Sequence, residues 1–352
     1  MNVLLVEPNF VYSQYPPLGL LKLASIYRKY GYNVTLVRKN QKYNNDSIPD
    51  LICITSLFTY SWKAVINSYS YYRNKFKKSQ IIIGGIYASL MPGHVRKYCP
   101  DAEIYKGVIE EGDLILPAWD LVPEWKSSII FTSRGCPNKC KFCAVRCIEP
   151  VFKPLDVEIR NLIYPGHNKI IIQDNNILAD KNHWEKIYRQ LKEINLKVDF
   201  NQGLDASLID EEVAFQLKSL KIDYIRIAYD STADREFVKN AIINLKKVGI
   251  RGKNIFVYTL FNFEDSPEDF LNRVKDLMEW EVVVYPMRYE PNNSLEKNKY
   301  IAPKWTAEEL EMVAKARRVI GWGGALVPHE GLKKKILFSN NFYEAFVLRE
   351  VS

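Results

Sequence analysis

Short apolar runs alternate with amphipathic stretches over the first hundred residues. The runs at residues 3–6, 33–37, 51–55 and 80–84 are rich in β-branched side chains and show no polar alternation. Runs of that kind suit strands buried on both faces of a parallel sheet. Between them, residues 18–30 and 61–76 predict helices, and Gly31 stands where a helix C-cap glycine belongs. The alternation predicts an α/β, doubly wound parallel sheet, with a ligand crevice at the carboxyl ends of its strands. Those ends carry Glu7-Pro8, Thr55-Ser56-Leu57 and Gly84-Gly85.

A second alternating series follows the proline-flanked segment 117–123. Strands are predicted at 127–131, 169–173, 198–201, 224–228, 255–260 and 282–286, and helices at 181–194, 209–219, 232–248 and 267–279. Ser266-Pro267-Glu268-Asp269 is a strong helix start, with Ser as N-cap and acids near the positive helix end. Thr306-Ala307-Glu308-Glu309 reads as a capping box opening a last helix to about residue 320. No repeat appears beyond the βα alternation.

Composition narrows the class. With 352 residues, 47% apolar and 26% charged, the chain reads as globular and soluble. No apolar run approaches the roughly 18 residues that span a bilayer, so no membrane partner is expected. Residues 1–8 lack a basic region and a cleavage site and read as a first strand. The six cysteines are few for this length and half crowd into one loop, which argues for a reducing, cytoplasmic setting. The net charge of +8 is mild, and the basic clusters at 73–78, 315–318 and 333–335 read as solvated faces. They leave a nucleic-acid partner open, with no recognisable binding motif beside them.

The candidate chemistry lies in Cys136, Cys140 and Cys143, a C-x₃-C-x₂-C pattern after an apolar strand. Three thiolates can hold three irons of a [4Fe-4S] cluster that ordinarily takes four cysteines, leaving one iron open. Cys147 extends the run to C-x₃-C-x₂-C-x₃-C, so a closed zinc site or electron-transfer cluster is the alternative. Four cysteines in twelve residues differ from the two separated knuckles of most zinc sites, and Cys147 reads as a non-ligand.

With Arg134-Gly135 before the first cysteine and Phe142 before the last, this segment resembles the cluster loop of the radical S-adenosylmethionine (radical SAM) superfamily. The resemblance implies metal and catalytic roles for Cys136, Cys140 and Cys143. The open iron would chelate the amino and carboxylate groups of SAM, and an electron would cleave SAM to a 5′-deoxyadenosyl radical. It also implies that the second series is an open (βα)₆ partial barrel. Functional side chains then belong at the carboxyl ends of strands. Those ends select Asp174, Asn175 and Asn176 for the SAM ammonium, Asp205, and Arg226 for the SAM carboxylate. Phe142, Glu264 and Met287 complete the candidate SAM contacts, and Tyr258, Tyr285 and Tyr289 are candidates for a substrate pocket. SAM, an unknown substrate and an electron donor such as flavodoxin or ferredoxin are the implied partners.

Pro16-Pro17-Leu18-Gly19-Leu20, Ser56-Leu57, Gly84-Gly85 and residues 107–112 resemble the cobalamin-binding-type domain that precedes many radical SAM cores. The D-x-H-x-x-G motif that ligates cobalt is missing: residues 38–46 contain no histidine, and His94 lies outside any such motif. Cobalamin therefore stays open as a cofactor. The expected division is a cobalamin-binding-like domain at 1–112, a linker at 113–126, a radical SAM core at 127–300 and a C-terminal extension at 301–352. Three functions follow: a radical SAM enzyme abstracting hydrogen from its substrate, a cobalamin-dependent radical SAM methyltransferase, or a non-enzymatic closed Cys₄ protein.

Overall fold

The computed structural model describes residues 1–10, 15–39, 41–43 and 47–348. Its contacts divide the chain into two compact units, residues 1–170 with 291–297 and residues 171–290 with 298–352.

The first unit is built on strands β1 (Asn2–Glu7), β2 (Asn33–Arg38), β3 (Leu51–Ser56), β4 (Gln80–Gly85) and the short β5 (Glu103–Ile104). Their order is β2-β1-β3-β4-β5, and every neighbouring pair is parallel. Each predicted run forms its strand. The two-residue β5 is new, being too short to leave a pattern. Helices α1 (Leu18–Lys29), α2 (Trp62–Lys75), α3 (Ile86–Leu90) and α4 (Pro92–Tyr98) accompany the strands. One core gathers Leu4, Ile52, Ile54, Ile81 and Ile83 with Tyr69, Tyr72 and Tyr87, and the other Val3, Leu5, Leu20, Ala24 and Cys53. Alternate residues of β1 and β3 thus feed two cores, which is why those strands show no polar alternation. Chain order reverses between β1 and β3, so the crevice of such a sheet opens there. Gly85 ends β4 at φ +101°, and a Cβ there would lie 2.1 Å from the carbonyl oxygen of Ser56. Only glycine suits that position.

The same unit holds β6 (Ser127–Ile130) and an antiparallel pair, β7 (Ser133–Arg134) with β8 (Lys153–Pro154). The one-turn helix α5 (Val145–Ile148) lies between β7 and β8.

Strand β9 (Lys169–Ile172) spans the division. The second unit continues with β10 (Lys197–Phe200), β11 (Lys221–Ile222), β12 (Ile225–Ala228), β13 (Ile255–Phe261) and β14 (Val283–Arg288). β9 and β11 flank β10, and β12, β13 and β14 form a parallel sheet in chain order. β12 is the strand expected at 224–228, whereas the two-residue β11 was not expected. Helices α6 (Lys181–Ile194), α7 (Glu211–Ser219), α8 (Arg235–Lys247) and α9 (Pro267–Glu279) fall between the strands, so the unit is mixed α/β. α6 and α9 have the predicted limits. Asp180 accepts from His183 N at 2.8 Å, and the Ser266–Asp269 capping box is complete. α7 starts later than the expected residue 209 because Asp210 is its N-cap.

The Thr306–Glu309 capping box opens α10 (Ala307–Val319), followed by α11 (Glu330–Leu337) and α12 (Phe342–Phe346). Phe346 stacks on Phe270 of α9, and Trp305 packs on Phe261 and Phe270. Among the described residues no helix is long and apolar enough to cross a membrane.

Arg273 of α9 is fully buried. It donates to the carbonyls of Tyr229 (3.0 Å) and Leu260 (2.8 Å), at the carboxyl ends of β12 and β13, and to Asp265 (2.6 Å). Arg273→Met removes the cation from that carboxylate and the guanidinium donor from two strand-end carbonyls. A loss of about 3–5 kcal/mol is expected, read as a lower urea midpoint by circular dichroism. An unchanged midpoint contradicts this role.

Candidate functional site

The cysteines occupy the loop between β7 and β8. Cys136, Cys140 and Cys143 are half-buried, and Cys147, on α5, is exposed. Cys143 N donates to Cys140 O at 3.1 Å, a tight turn that keeps the second and third cysteines close in the backbone. The donor set suits iron: three soft thiols on one loop, none sealed in a core. Their side chains are not converged, since among the described residues no three metal-ligating side chains are gathered into one group.

The base of that loop is held by charge. Asp113 is 3% exposed, and its carboxylate receives Arg134 Nη2 at 2.6 Å and Nε at 2.8 Å. Lys22 of α1, 4% exposed, pairs with the same carboxylate. Arg134 also reaches Glu149 at 3.3 Å and lies 3.4 Å from the centre of the Phe131 ring. Glu149 closes the circuit by accepting from Gly135 N at 3.0 Å. Gly135 has φ +68°, and a Cβ there would meet Val151 O at 2.0 Å. The glycine before the first cysteine is therefore required by backbone approach. Burial lowers the Lys22 ammonium to about 8, and Arg134 adds to that against the pull of Asp113. Burial works to raise Asp113, but hydrogen bonds from Arg134 and the nearby cations outweigh it and hold the carboxyl below its usual range. Sequence reasoning singled out Arg134 and Gly135 but missed Lys22, Asp113 and Glu149. Lys22 and Asp113 are 91 residues apart, and no local pattern joins them.

In the second unit, Asp174, Asn175 and Asn176 follow β9. Asp174 and Asn176 are each 3% exposed, and Asn175 is half-buried. Asn176 Nδ2 donates to Asp205 at 3.0 Å, so two of the predicted residues are brought together. Asp205 also caps the turn at Ala206–Leu208, accepting from Ser207 N at 3.1 Å. Asn176 Oδ1 is buried with no hydrogen-bond partner among the described residues. A buried acceptor left unmatched is costly and asks for a donor from outside.

Arg226 lies on β12 and is 8% exposed. It pairs with Asp199 of β10, donates to Phe200 O at 3.3 Å and stands 4.5 Å from the Tyr224 ring centre. Its charge is balanced within the unit, so its burial needs no ligand carboxylate. Glu264 is exposed, with Lys304 Nζ on its carbonyl at 2.8 Å. Met287, at the end of β14, is 42% exposed. On β13 the buried positions 255, 257, 259 and 261 alternate with half-buried Phe256, Tyr258 and Leu260. The half-buried row pairs with Arg226 and exposed Ala228 on one side and with Tyr285 and Met287 on the other. One face of a parallel sheet is thus partly open, where such sheets are ordinarily covered on both. Tyr289 packs instead on Phe263 and Tyr300. Sequence reasoning missed Asp230, at the end of β12. Burial raises its carboxyl to about 6, against a hydrogen bond from Leu260 N and the charge of Arg273.

At the β1/β3 crevice of the first unit, Glu7 is buried against Arg38 at 2.6 Å. Ser56 Oγ donates to Gly84 O at 2.7 Å and accepts from Ala88 N at 3.0 Å. Of the histidine-free stretch 38–46, residues 40 and 44–46 lie outside the described residues. His94 Nδ1 is engaged by Tyr87 Oη at 2.6 Å, and the ring packs against Trp62 and Tyr98. Burial and nearby Lys97 lower its pKa, which favours the neutral ring.

No protein-family model and no curated protein matches this chain. Among solved structures it is similar to TsrM, a radical S-adenosylmethionine methyltransferase from Kitasatospora setae, solved with tryptophan substrate and the SAM analogue aza-SAM. That match has a TM-score of 0.65 at 15% identity and covers 90% of this chain and 77% of that one. A galactofuranose binding protein is also matched, at 11% identity over 95% of this chain and 97% of that one, but its TM-score of 0.19 carries no argument. The fold is therefore similar to that of a radical SAM methyltransferase, with mixed α/β structure and parallel sheets.

The charge cluster makes two outcomes measurable. Asp113→Asn leaves Arg134 and Lys22 without their carboxylate. Iron bound after anaerobic reconstitution should drop by more than half while the far-ultraviolet spectrum is kept, and full iron loading would refute the anchoring role. Lys22 holds its proton more weakly folded than unfolded. From this group alone, stability therefore rises with pH between about 8 and its ordinary 10.5. Lys22→Met should remove that rise, measured as the wild-type-minus-variant difference in urea midpoint across the same pH window. A difference that stays flat contradicts it.

Proposed function

We propose that this protein is a radical SAM enzyme: Cys136, Cys140 and Cys143 bind a [4Fe-4S] cluster, and Cys147 stays outside it. The observation that carries this is the C-x₃-C-x₂-C loop, entered through an anchored Arg134-Gly135, in a chain whose fold is similar to that of a radical SAM methyltransferase. When bound there, a cluster would supply the one electron that cleaves the S–C5′ bond of SAM to methionine and a 5′-deoxyadenosyl radical. That radical takes a hydrogen atom from the substrate.

The finer architecture belongs to this proposal. Residues 1–112 are assigned as the cobalamin-binding-like domain, 113–126 as linker, 127–300 as the radical SAM core and 301–352 as an extension. Strands β6, β9, β10, β12, β13 and β14 are the six of the (βα)₆ partial barrel. Asn176 Oδ1, buried and unmatched, accepts from the SAM ammonium, and Asp174 offsets its charge. Asp205 holds Asn176 through its Nδ2, which leaves the oxygen free to face the ligand. The half-buried row of Tyr258 and Leu260, with Met287, offers apolar surface to the adenine, and exposed Glu264 an acceptor for the ribose. Asn175 completes these contacts in the second unit, and half-buried Phe142 belongs to the cysteine loop of the first. Arg226, expected at the SAM carboxylate, serves first to hold the sheet through Asp199.

A second reading is cobalamin-dependent methyl transfer. The β2-β1-β3-β4-β5 sheet and the likeness to a methyltransferase over 90% of this chain favour it. His94 does not offer its Nδ1 to cobalt, because Tyr87 holds it. Cobalt content after expression with ample cobalamin separates the two readings.

Reconstituted protein should form 5′-deoxyadenosine from SAM and reductant, detected by mass spectrometry. Alanine at Cys136, Cys140 or Cys143 should abolish it, and Cys147→Ala should not. Loss of the cluster in Cys147→Ala protein points to the closed Cys₄ alternative. Asn176→Ala and Asp174→Ala should keep the iron but weaken SAM binding roughly 30-fold, the scale of a lost buried charged hydrogen bond at about 2 kcal/mol. Unchanged affinity returns either residue to a purely structural role.

A further inference from the structure

The amino ends of the second unit's strands hold a cavity apart from the carboxyl ends where the candidate SAM contacts stand. It lies at the starts of β10, β11, β12 and β13, has a volume of about 590 Å³, and is lined by residues of the second unit alone. It surrounds the point where the chain passes from one sheet to the other: Lys221 and Ile222 pair with β10, and from Ile225 the next strand pairs with β13. Small-molecule pockets have volumes of roughly 300–1,000 Å³.

Four cations line the cavity, Lys197, Lys218, Lys221 and Arg251, and all are exposed. One acid lines it, Asp223, whose two oxygens each lie 3.3 Å from Lys197 Nζ. Lys218 Nζ donates to Gly249 O at 3.1 Å. Lys221 and Arg251 make no ion pair or side-chain hydrogen bond among the described residues. Acids on the neighbouring elements do not offset them. Glu211 and Glu212 of α7 pair with Lys247 and Lys181, Glu281 beside Gly252 pairs with Lys333, and Glu193 of α6 does not line the cavity.

The rest of the lining is apolar or neutral. Leu217 is buried, and Ile222 and Ile250 are half-buried. Half-buried Asn254 adds a side-chain amide with no partner among the described residues. Cations scattered over an open surface need no ligand. Here two uncompensated ones stand at a cavity whose other walls are apolar. An ammonium and a guanidinium fork both suit phosphate oxygens. Apolar walls suit a flat ring, and an amide can hydrogen-bond a base edge.

We infer that this cavity binds a free nucleotide, its phosphates at Lys221 and Arg251 and its base against Leu217, Ile222 and Ile250 beside Asn254. The nucleotide is bound there and not transformed, since the reactive groups belong to the opposite ends of the strands. The inference stands apart from the SAM-cleaving reading. A nucleic-acid strand fits less well. Single strands stack their bases on aromatic platforms, and the cavity's one aromatic residue, Tyr224, is already flanked by Arg226 and Phe256.

The test is isothermal titration of the full-length protein with ADP, GDP, CDP, UDP, pyrophosphate, the four nucleosides and a single-stranded oligonucleotide. At least one nucleoside diphosphate should bind. Pyrophosphate and the matching nucleoside, each keeping half of the contacts, should bind at least ~10-fold more weakly. Lys221→Glu/Arg251→Glu should weaken the nucleotide at least ~10-fold, the scale of one lost hydrogen bond to a charged group, with the far-ultraviolet spectrum kept. Lys221→Gln/Arg251→Gln should weaken it less. Lys29→Glu/Lys78→Glu, which makes the same change in net charge on the first unit, should bind as wild type does. Binding of none of the four nucleotides, unchanged affinity in Lys221→Glu/Arg251→Glu, or equal weakening in the first-unit control overturns the inference. So does pyrophosphate binding as tightly as the nucleotide, which leaves an anion site only. An oligonucleotide that binds at least ~10-fold tighter than any nucleotide, and loses that affinity in Lys221→Glu/Arg251→Glu, overturns it in favour of a nucleic-acid surface.

Discussion

A single carboxylate out of contact with water, Asp113, meets two cations at once. Burying one charge is expensive and burying three is more so, unless geometry lets them cancel. Here Arg134 takes both oxygens and Lys22 shares one of them. Each member is tolerable only because the others are present. Helix α1, the turn at Glu110–Leu114 and the first residue of β7–β8 loop entry are thereby tied to one point. The cysteines begin two residues beyond it. Their placement thus leans on ion pairs between residues far apart in sequence, with Cys136, Cys140 and Cys143 themselves half-buried.

The second unit repeats the theme with different partners. Arg273 fastens the ends of β12 and β13 from beneath, and Arg226 ties β12 to β10 through Asp199. Both arginines sit where βα folds place reactive groups, and both are occupied with structure. What remains for a ligand is smaller: an amide oxygen on Asn176 and the open face beside Tyr258 and Met287. Chemistry at such a site would depend on a few neutral or singly charged contacts held rigid by buried ion pairs behind them.

The strands and helix starts were legible because their signals are local. An apolar run at residues 51–55 or Ser266 before Pro267 says the same thing wherever the chain goes next, and β3 and α9 form where those signals stand. The cysteine loop was legible for the same reason. The partners of buried charges were not. Arg226 announced itself as a charge inside an apolar strand, but its carboxylate could be Asp199, Asp205 or a ligand. The choice depends on which side chains share a face of neighbouring strands. The structure takes Asp199 and leaves Asp205 to Asn176 and Ser207. Lys22 and Asp113 were less visible still, since each looks like an ordinary surface residue until the fold removes the water.

Glu149 does more than neutralise Arg134, because it meets Gly135 and so ties off everything between them. The ends of the loop are fixed there, and the cost of closing it grows only with the logarithm of its length, about 0.6 kcal/mol for each doubling. The stretch between Cys143 and Glu149 can therefore lengthen without loosening the entry to the first cysteine. Residues added there would alter what the loop presents to solvent while the spacing of the three thiols stays fixed. In evolutionary terms, the anchor separates the part of the loop whose cysteine spacing is set from the part free to vary.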